Sequence, residues 1–516
     1  MVGKEKIDDC LTTRDGRLFI EKLDTVEIVK QYGSPLFVVS EDQLRRNIRR
    51  FQKSFETGWT DGPVKIMPAA KASWSSAIQL IIASEGCGCD IYSAGELAVA
   101  LRAGFDPQYI SVNGVPKNRD HITNAIKHGC RITIDGMEEF DVIEQAAKEL
   151  KTKAKVRLRM KPAIKGFTKY SNFVPNGPLS TDVAALAYKG GLPRDAVIFF
   201  GKKILKSPHV ELMGFHEHHG RHDPSARYWE EQMKSYAEEI AIVSQALGGF
   251  QPNEIDIGGG FACPRDPFGS EIKYSEPYEF LVLYGLSRAL SRFPSLRYKV
   301  IDKIVEKAIL FTPNQKMAPS IEEYGTACTG TLKQELSRRG INTKGVMLQV
   351  EPGRSLHGNT AIHLTTVKSI KKMNEPITWS HAALDTTEFW FTGGRYEHHV
   401  YDYIFANKTN SPLVEKMDVV GRSCYGDRMF PAIMLPGDLA VGDIMAILDV
   451  GAYQEVSMSN FNAMPRPATM LVSGDEISII RRAETQEDVF NRDVIPEHLK
   501  AIEKTSNTRS RERKEG

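Results

Sequence analysis

Residues 89–114 read CDIYSAGELAVALRAGFDPQYISVNG, and this stretch shows how much of the chain is built. The short apolar runs at 89–92 and 109–113 have the length and composition of buried strands. Between them, residues 95–102 carry apolar side chains at helical spacing. A strand, a helix and a second strand in this order predict a unit in which the two strands run parallel.

The same alternation extends in both directions from this unit. Further strands are predicted at 64–68, 131–135, 155–160, 210–216, 254–257 and 346–350. Further helices are predicted at 75–84, 137–150 and 226–247. Eight strands that alternate with helices are typical of a (β/α)8 barrel, whose functional side chains gather at the carboxyl ends of the strands.

After residue 351 the pattern changes to short β-like segments with Gly and Pro between them, at 360–370, 418–420, 444–449, 470–472 and 477–481. Strand signals at 18–40 fit the same part of the fold. We therefore expect an α/β protein, with a barrel at 41–357 that carries an insertion at about 263–340, including a helix at 278–292. A second, mostly β domain, like a sandwich or barrel, is expected from 1–40 and 358–485, and a charged, mobile tail from 486–516.

Composition excludes several classes of protein. The 516 residues carry 67 Lys and Arg against 65 Asp and Glu, so the net charge is only +2, and no nucleic-acid or membrane partner is expected. No apolar run is long enough for a membrane span, and the first residues lack a signal-peptide core. The seven cysteines are scattered without a paired CxxC, which favours a reducing, cytoplasmic setting over a disulfide framework.

Lys71 lies in the sequence MPAAKAS, directly after the first predicted barrel strand. The apolar, small neighbours predict a desolvated amine, which would act as a nucleophile or a Schiff-base partner. A surface lysine that merely follows a strand is the alternative.

Two further strand ends carry groups that suit an anion. Gly258, Gly259 and Gly260 follow the seventh strand, where bare backbone N–H groups can surround a phosphate. Glu351 and Arg354 follow the eighth strand, and the guanidinium also suits a phosphate, while the carboxylate could hold a proton on a heteroaromatic nitrogen. A tight turn and a structural ion pair are the alternatives.

The sixth strand ends in a histidine cluster, formed by His216, His218, His219 and the nearby His222. Alternation along a strand puts His216 and His218 on one face, which could bind zinc. No acidic or thiol ligand set completes such a site, so we expect no metal. Stacking of one histidine ring on a flat cofactor explains the cluster better.

These features converge on one barrel mouth. A lysine, a stacking ring, a glycine cradle and a Glu/Arg pair together describe a site for pyridoxal 5'-phosphate. The motifs DGRLFIEKLDTVEIVKQYGSPLFVVSEDQLRRNI, DIYSAGELAVALRAGF, GFHEHHG, DIGGGF, EPGRS, GRSCYGD and LDVGAYQEVSMSNFNAMPRPATML follow in order along the chain. In their order and spacing the chain resembles the pyridoxal-phosphate-dependent amino-acid decarboxylases of fold type III, the diaminopimelate and ornithine decarboxylase group.

The resemblance implies a role for each matching position. Lys71 resembles the Schiff-base lysine, His218 the histidine stacked on the cofactor, and Glu351 the partner of the pyridine nitrogen. The remaining correspondences are the phosphate site at Gly258, Gly259, Gly260, Arg354 and Tyr453, and first-contact polar positions at Asp90 and Arg159. Cys424 resembles the catalytic cysteine that a second subunit contributes, which implies a homodimer with shared active sites acting on a small amino-acid substrate.

Two departures from the family pattern concern specificity. Arg221 stands near a position where the family has a serine, and it could replace a hydroxyl contact to phosphate. In GRSCYGD, Tyr425 occupies the position of an acid that normally receives the distal amino group of the substrate, and Tyr is uncharged at neutral pH. Arg422 and Arg428 flank it, and Asp427 would replace the acid only if the loop shifts. We therefore expect an altered substrate-specificity loop.

Two other functions remain open at this level. A racemase could use the same barrel, although Cys424 and the GAY segment favour decarboxylation. A non-catalytic paralogue that binds a partner is the alternative of another class, and the intact set of Lys71, Glu351 and Arg354 argues against it.

Overall fold

The computed structural model describes residues 8–162, 189–218, 225–263, 271–273, 285–286, 288–300, 310–312, 318–374, 379–391 and 401–500. Within these ranges the barrel and the β domain are both present. No helix in the described part of the chain is long and apolar enough to cross a membrane.

The centre of the larger domain is a ring of eight parallel strands, as the alternation predicts. In chain order they are Val64–Ile66, Cys89–Ile91, Ile110–Val112, Arg131–Ile134, Ala154–Met160, Val210–Glu217, Glu254–Asp256 and Met347–Val350. The second to eighth strands pair in chain order, and the eighth pairs with the first. The ring closes between the first and second strands, where Gly88 N–H donates to Ile66 O at 2.8 Å and Ala69 forms a bridge with Asp90. The predicted (β/α)8 barrel is therefore confirmed, with strand ends that differ by at most two residues.

Helices form the outer layer of the barrel. They are Glu41–Gly58, Ser76–Ser84, Ala94–Arg102, Arg119–His128, Glu139–Glu149, Arg194–Lys206, Ala226–Ala246 and Ile321–Arg338. Serine or asparagine side chains cap the N-termini of five of these eight helices; for example, the Ser40 side chain accepts from Gln43 N–H at 3.0 Å. The helix Ile321–Arg338 begins with a capping box and packs against the helices Glu41–Gly58 and Ala226–Ala246. Part of the predicted insertion thus belongs to the helical layer.

Of the helix predicted at 278–292, residues 285–286 and 288–292 are described, and they are helical. The structure does not test the predicted domain bounds, and residues 501–516 of the predicted tail lie outside the described ranges.

The interior of the barrel is unusually polar for a buried core. Arg157, on the fifth strand, is fully buried and donates to Asp256 Oδ2 at 2.5 Å and to Thr133 Oγ1 at 3.3 Å. One layer below, Arg131 and Glu254 form a buried ion pair. Side chains alternate between the two faces of a strand, so the intervening residues Val156 and Leu158 pack outward into the hydrophobic core under the helices. The barrel therefore places charged side chains in its centre.

The second domain is a mixed β-sheet built from both ends of the chain. Its strands follow the order Arg428–Pro436, Leu413–Val420, Trp379–Leu384, Ala361–Met373, Leu36–Ser40, Ala468–Ser473 and Glu476–Arg481, and Ile444–Ile447 and Tyr403–Phe405 extend it beside Ala361–Met373. Leu11–Arg14, Arg17–Ile20 and Leu23–Asp24 form a separate small sheet. The predicted β domain from the N-terminal segment and the C-terminal part is confirmed.

Three strands of this sheet escaped the sequence analysis: Trp379–Leu384, Tyr403–Phe405 and Arg428–Pro436. The last one lies at the edge of the sheet and contains Pro431, which removes a backbone donor and disguises a strand in the sequence.

Candidate active site

The candidate active site lies at the carboxyl ends of the barrel strands. Lys71 lies in a short 3-10 turn, Ala70–Ala72, that follows the first strand. This turn is anchored on two sides, because Ala69 N–H donates to Pro352 O at 3.1 Å and Tyr453 N–H donates to Ala72 O at 2.8 Å. The lysine is thereby fixed between the end of the eighth strand and the β domain.

The expected burial of Lys71 was wrong. Its alanine neighbours are buried, but the lysine side chain itself is exposed at the barrel mouth. The apolar residues around it turn inward, while the lysine is accessible to a ligand from solvent. Electrostatics still connects it to the site, because its positive charge acts to lower the pKa of both Asp90 and Glu351.

Glu351 is the centre of a buried hydrogen-bond cluster. Asn113 Nδ2 lies 2.6 Å from Glu351 Oε1 and 2.7 Å from Asp90 Oδ1, so one amide group bridges two carboxylates. On the other side, His216 Nε2 lies 3.2 Å from Glu351 Oε2. Four strand ends, the second, third, sixth and eighth, thus converge on this carboxylate.

Burial sets the protonation of the cluster. It raises the pKa of Glu351 to about 7, with the nearby charge of Asp90 as the next cause. It raises the pKa of Asp90 to about 6 and lowers the pKa of His216 to about 3. Two carboxyl groups with raised pKa values therefore face a neutral imidazole, and the cluster can hold a proton near neutral pH.

The glycine loop meets the eighth strand through backbone contacts. A Cβ on Gly259 would lie 2.0 Å from Glu351 O, and one on Gly258 would lie 2.6 Å from Glu217 O, so neither position admits a side chain without movement. Gly258 also adopts φ +66°. These glycines are required for close packing of three strand ends.

The loop differs in one respect from the expected cradle of bare N–H groups. Gly258 N–H donates to Asp256 Oδ1 at 2.9 Å, and Gly259 N–H donates to His218 Nδ1 at 3.1 Å. Among the three glycines, only Gly260 N–H has no acceptor in the described part of the chain. The His218 ring is therefore held beside the loop.

Arg354, which follows the eighth strand, lies beside Tyr453 of the β domain. The Arg354 guanidinium carbon is 5.0 Å from the centre of the Tyr453 ring. A Cβ on Gly353 would lie 2.4 Å from Tyr453 Oη, so the glycine leaves room for the phenol. A guanidinium and a phenol held together suit a phosphate group.

Arg159, at the end of the fifth strand, completes the polar mouth. Its Nη1 donates to Asp135 Oδ2 at 2.9 Å, and both side chains are buried. The carboxyl ends of the barrel strands thus carry nine of the predicted site residues, and the β domain adds Tyr453 next to Ala72; the nine are Lys71, Asp90, Arg159, His218, Gly258, Gly259, Gly260, Glu351 and Arg354.

The loop at 421–428 belongs to the β domain and its contacts differ. Cys424 is exposed, and Asn462 Nδ2 lies 3.1 Å from its Sγ. Tyr425 is 54% exposed, and its ring lies 5.8 Å from that of Phe389. Asn462 and Phe389, which these two residues contact, also belong to the β domain.

The charged residues of this loop are engaged in structural contacts. Asp427 is buried, and its two oxygens accept from Glu388 N–H at 2.7 Å and Ser423 N–H at 2.8 Å. Arg428 forms a two-pronged ion pair with Asp418, at 2.6 and 2.8 Å. Arg422 Nη1 lies 3.4 Å from Asp385 O.

Sequence reasoning missed Asn113 and Asp256 and gave His216 no role beyond the zinc alternative. All three lie at or beside barrel strand ends, which is the signal that could have found them. The ligand atoms of His216, Asp256 and Glu351 lie within 4.8 Å of one another. However, Arg157, Asn113 and Gly258 already donate hydrogen bonds to these two carboxylates, which therefore have partners without an ion. His219, Arg221 and His222 lie outside the described residues.

The residues at the mouth fit pyridoxal phosphate. An accessible lysine, a buried acid for the ring nitrogen, a histidine held beside a glycine loop and an Arg/Tyr pair supply a partner for each part of that cofactor. The fold and this site define a pyridoxal-phosphate-dependent barrel enzyme.

Comparison with known proteins places the chain within that class. Residues 41–281 match the family model described as pyridoxal-dependent decarboxylase, pyridoxal binding domain. The chain is 26% identical over 486 residues to the diaminopimelate decarboxylase of Methanothermobacter thermautotrophicus, covering 94% of this chain and 97% of that protein. It is 27% identical over 489 residues to that of Archaeoglobus fulgidus, covering 95% and 99%.

Solved structures show the same fold. The diaminopimelate decarboxylase of M. jannaschii in complex with L-lysine superposes with a TM-score of 0.77 at 23% identity, covering 95% of this chain and 99% of that one. The lysine/ornithine decarboxylase of Vibrio vulnificus, complexed with putrescine, gives 0.61 at 16% identity, covering 87% and 98%. Residues 41–281 thus carry the pyridoxal-binding domain of the pyridoxal-phosphate-dependent decarboxylases, and the chain is similar over nearly its full length to carboxy-lyases of the diaminopimelate decarboxylase group.

Proposed function

We propose that the chain decarboxylates an α-amino acid whose distal group is neutral or acidic, and that its specificity loop differs in this way from diaminopimelate decarboxylases. The observation that carries the proposal is Tyr425, which stands where the family resemblance expects an acid. A phenol is neutral at physiological pH and cannot balance a distal ammonium group.

The position of Asp427 supports the same conclusion. Replacing the missing acid would require its buried carboxylate to leave the backbone N–H groups of Ser423 and Glu388, which are themselves partly buried. Leaving buried donors unsatisfied costs about 1–3 kcal/mol each. Arg428 adds no free positive charge, because Asp418 neutralises it. A substrate with a distal ammonium group therefore meets no available carboxylate on this loop.

The barrel residues have the following proposed roles. When bound, pyridoxal phosphate accepts the electron pair left on the α-carbon as carbon dioxide departs. Lys71 supplies the amine that binds the cofactor, and Glu351 holds a proton at the ring nitrogen. His218 would lie against the ring, and Arg354, Tyr453 and the glycine loop would bind the phosphate. Asp90 and Arg159 provide polar contacts around Lys71.

Cys424 is proposed to donate the proton that the α-carbon takes up after decarboxylation. The family resemblance implies that this cysteine enters the active site of a second subunit, so that the enzyme is a homodimer with two shared sites. The exposure of Cys424 and its contact with Asn462 are consistent with a thiol held ready for a partner chain.

The substrate proposal is tested by a screen for carbon dioxide release. The panel contains diaminopimelate, ornithine, lysine and arginine on one side and acidic and amide-bearing amino acids on the other, with both enantiomers of each. We expect the highest kcat/KM in the second group, and Lys71→Ala provides the inactive control. A preference for diaminopimelate would overturn the substrate proposal, and racemisation without carbon dioxide release would point to the racemase alternative.

The shared site is tested by mixing two inactive proteins. After verified subunit exchange, a mixture of Lys71→Ala and Cys424→Ala should recover part of the activity, because one site of each heterodimer contains both native residues. No recovery would count against the shared site and leave the substrate proposal unaffected.

A further inference from the structure

The carboxylate of Glu351 is fixed by a different donor on each oxygen. Asn113 Nδ2 contacts Oε1 at 2.6 Å, and His216 Nε2 contacts Oε2 at 3.2 Å. The Asn113 amide also contacts Asp90, whereas within the described residues the His216 side chain forms a hydrogen bond with Glu351 alone. His216 is thus the partner whose contact is specific to this carboxylate.

The surroundings of His216 determine which of its nitrogens carries the proton. The ring is 1% exposed, and burial lowers its pKa to about 3, so the imidazole is neutral and has a single N–H. Nδ1 has no hydrogen-bond partner within the described residues, whereas Nε2 faces the carboxylate. A proton on Nδ1 would leave a buried donor unsatisfied and two acceptors facing each other. The tautomer with the proton on Nε2 is therefore favoured.

We propose that His216 is a positioning residue, which donates its Nε2–H to Glu351 and thereby orients this carboxylate toward the cofactor ring nitrogen and favours its ionised form. The inference rests on the proposed role of Glu351. It gives a function to the first histidine of the cluster, whereas the family resemblance assigns only the second, His218.

Other charges compete for the same carboxylate. The charge of Asp90 favours the protonated form of Glu351, while the charges of Arg157 and Lys71 and a hydrogen bond with Asp256 favour the ionised form. The His216 ring is itself faced by Asp256, Asp135, Arg157 and Arg159. Since these contributions oppose one another and burial raises the pKa of Glu351 to about 7, the loss of a single donor should change its ionisation near neutral pH.

The test is a titration of the ring-nitrogen proton in the holoenzyme. Protein loaded with 15N-labelled pyridoxal phosphate is followed by NMR between pH 5 and 9, as wild type, His216→Phe and His216→Gln. In His216→Phe the ring nitrogen should lose its proton about one to two pH units lower than in wild type, the shift that corresponds to one hydrogen bond to a charged group. His216→Gln keeps an N–H donor and should recover most of this shift.

Two controls separate the possible outcomes. His363, in the β domain, is also fully buried, has one hydrogen bond from Nε2 to Thr386 at 3.0 Å and has an unpartnered Nδ1. His363→Phe should lower stability without moving the titration. Glu351→Gln should abolish the wild-type titration behaviour, and if it does not, the proposed role of Glu351 fails. If Glu351→Gln acts as expected but His216→Phe titrates like wild type, only the His216 inference is overturned.

Discussion

The barrel mouth and the loop at 421–428 both contain buried carboxylates, but their partners differ. Asp90 and Glu351 share one amide group of Asn113, and burial raises the pKa of each. In the loop, Asp427 accepts two backbone N–H groups and Asp418 accepts a guanidinium. The mouth therefore holds acids that can exchange a proton with a ligand, whereas the acids of the loop hold its backbone in place.

This difference supports the proposal that the family pattern is kept in the mouth and altered in the loop. The mouth contains the groups that any amino-acid substrate of such an enzyme requires. In the loop, the Tyr425 phenol and the Cys424 thiol are exposed, whereas the acids already accept hydrogen bonds from other parts of the β domain. Four experiments test this difference between the barrel mouth and the loop.

The largest effect is expected from breaking the mouth at Lys71. Borohydride should attach the cofactor covalently to Lys71, because only an imine is reduced, and mass spectrometry of peptides locates the adduct. Lys71→Ala should lose the adduct and release carbon dioxide at least about a thousandfold more slowly. Lys65→Ala serves as the control, since Lys65 contacts Gly86 O and the Tyr109 ring instead of the mouth. An adduct on another lysine would contradict the assignment.

The second change adds a carboxylate to the loop. Tyr425→Glu should raise kcat/KM for diaminopimelate about ten- to a hundredfold, because a charge-assisted hydrogen bond is worth about 1.5–3 kcal/mol. Tyr425→Phe, which removes only the hydroxyl, should leave the ranking of diaminopimelate against acidic amino acids unchanged. An unaltered ranking in Tyr425→Glu would mean that this position does not contact the distal group.

A third experiment concerns the pH dependence of the cofactor-free protein. The pKa of Glu351 is about 7 in the folded chain and near 4.5 in an unfolded one, so its ionisation opposes folding. Stability should therefore fall as the pH rises from about 4.5 through 7, by about 1–3 kcal/mol from this group. Thermal melts of wild type and Glu351→Gln from pH 4.5 to 8.5 measure it. Equal pH slopes in the two proteins would show that Glu351 titrates normally.

The smallest effect is expected from Asp427→Asn. The amide keeps one acceptor oxygen, so one of the two backbone donors loses its partner, and the free energy of unfolding should fall by about 1–3 kcal/mol. Denaturant melts measure this loss, with the exposed Asp475→Asn as the control. The ratio of kcat/KM between substrates should stay the same. A selective loss of activity toward diaminopimelate would instead assign Asp427 to the substrate.

Much of the fold could be predicted because its signals are local. Each barrel strand is a short apolar run, and each motif residue directly follows such a run, as Lys71 and Glu351 do. The edge strand Arg428–Pro436 was missed because Pro431 hides the strand pattern. The burial expected for Lys71 was wrong and its surface alternative was right about exposure, since neighbouring alanines do not reveal which way a side chain points from a 3-10 turn.

The sequence by itself determined the alternation of strands and helices, the order of the motifs and the presence of Tyr425 beside Cys424, because residue type and periodicity act over a few neighbouring positions. Only the tertiary structure decided that Asn113 bridges Asp90 to Glu351, although 238 positions separate Asn113 from Glu351. It also decided that backbone N–H groups donate to both carboxylate oxygens of Asp427. Hydrogen-bond partners depend on distances and directions between strands that meet only after the barrel closes, and no local pattern encodes them.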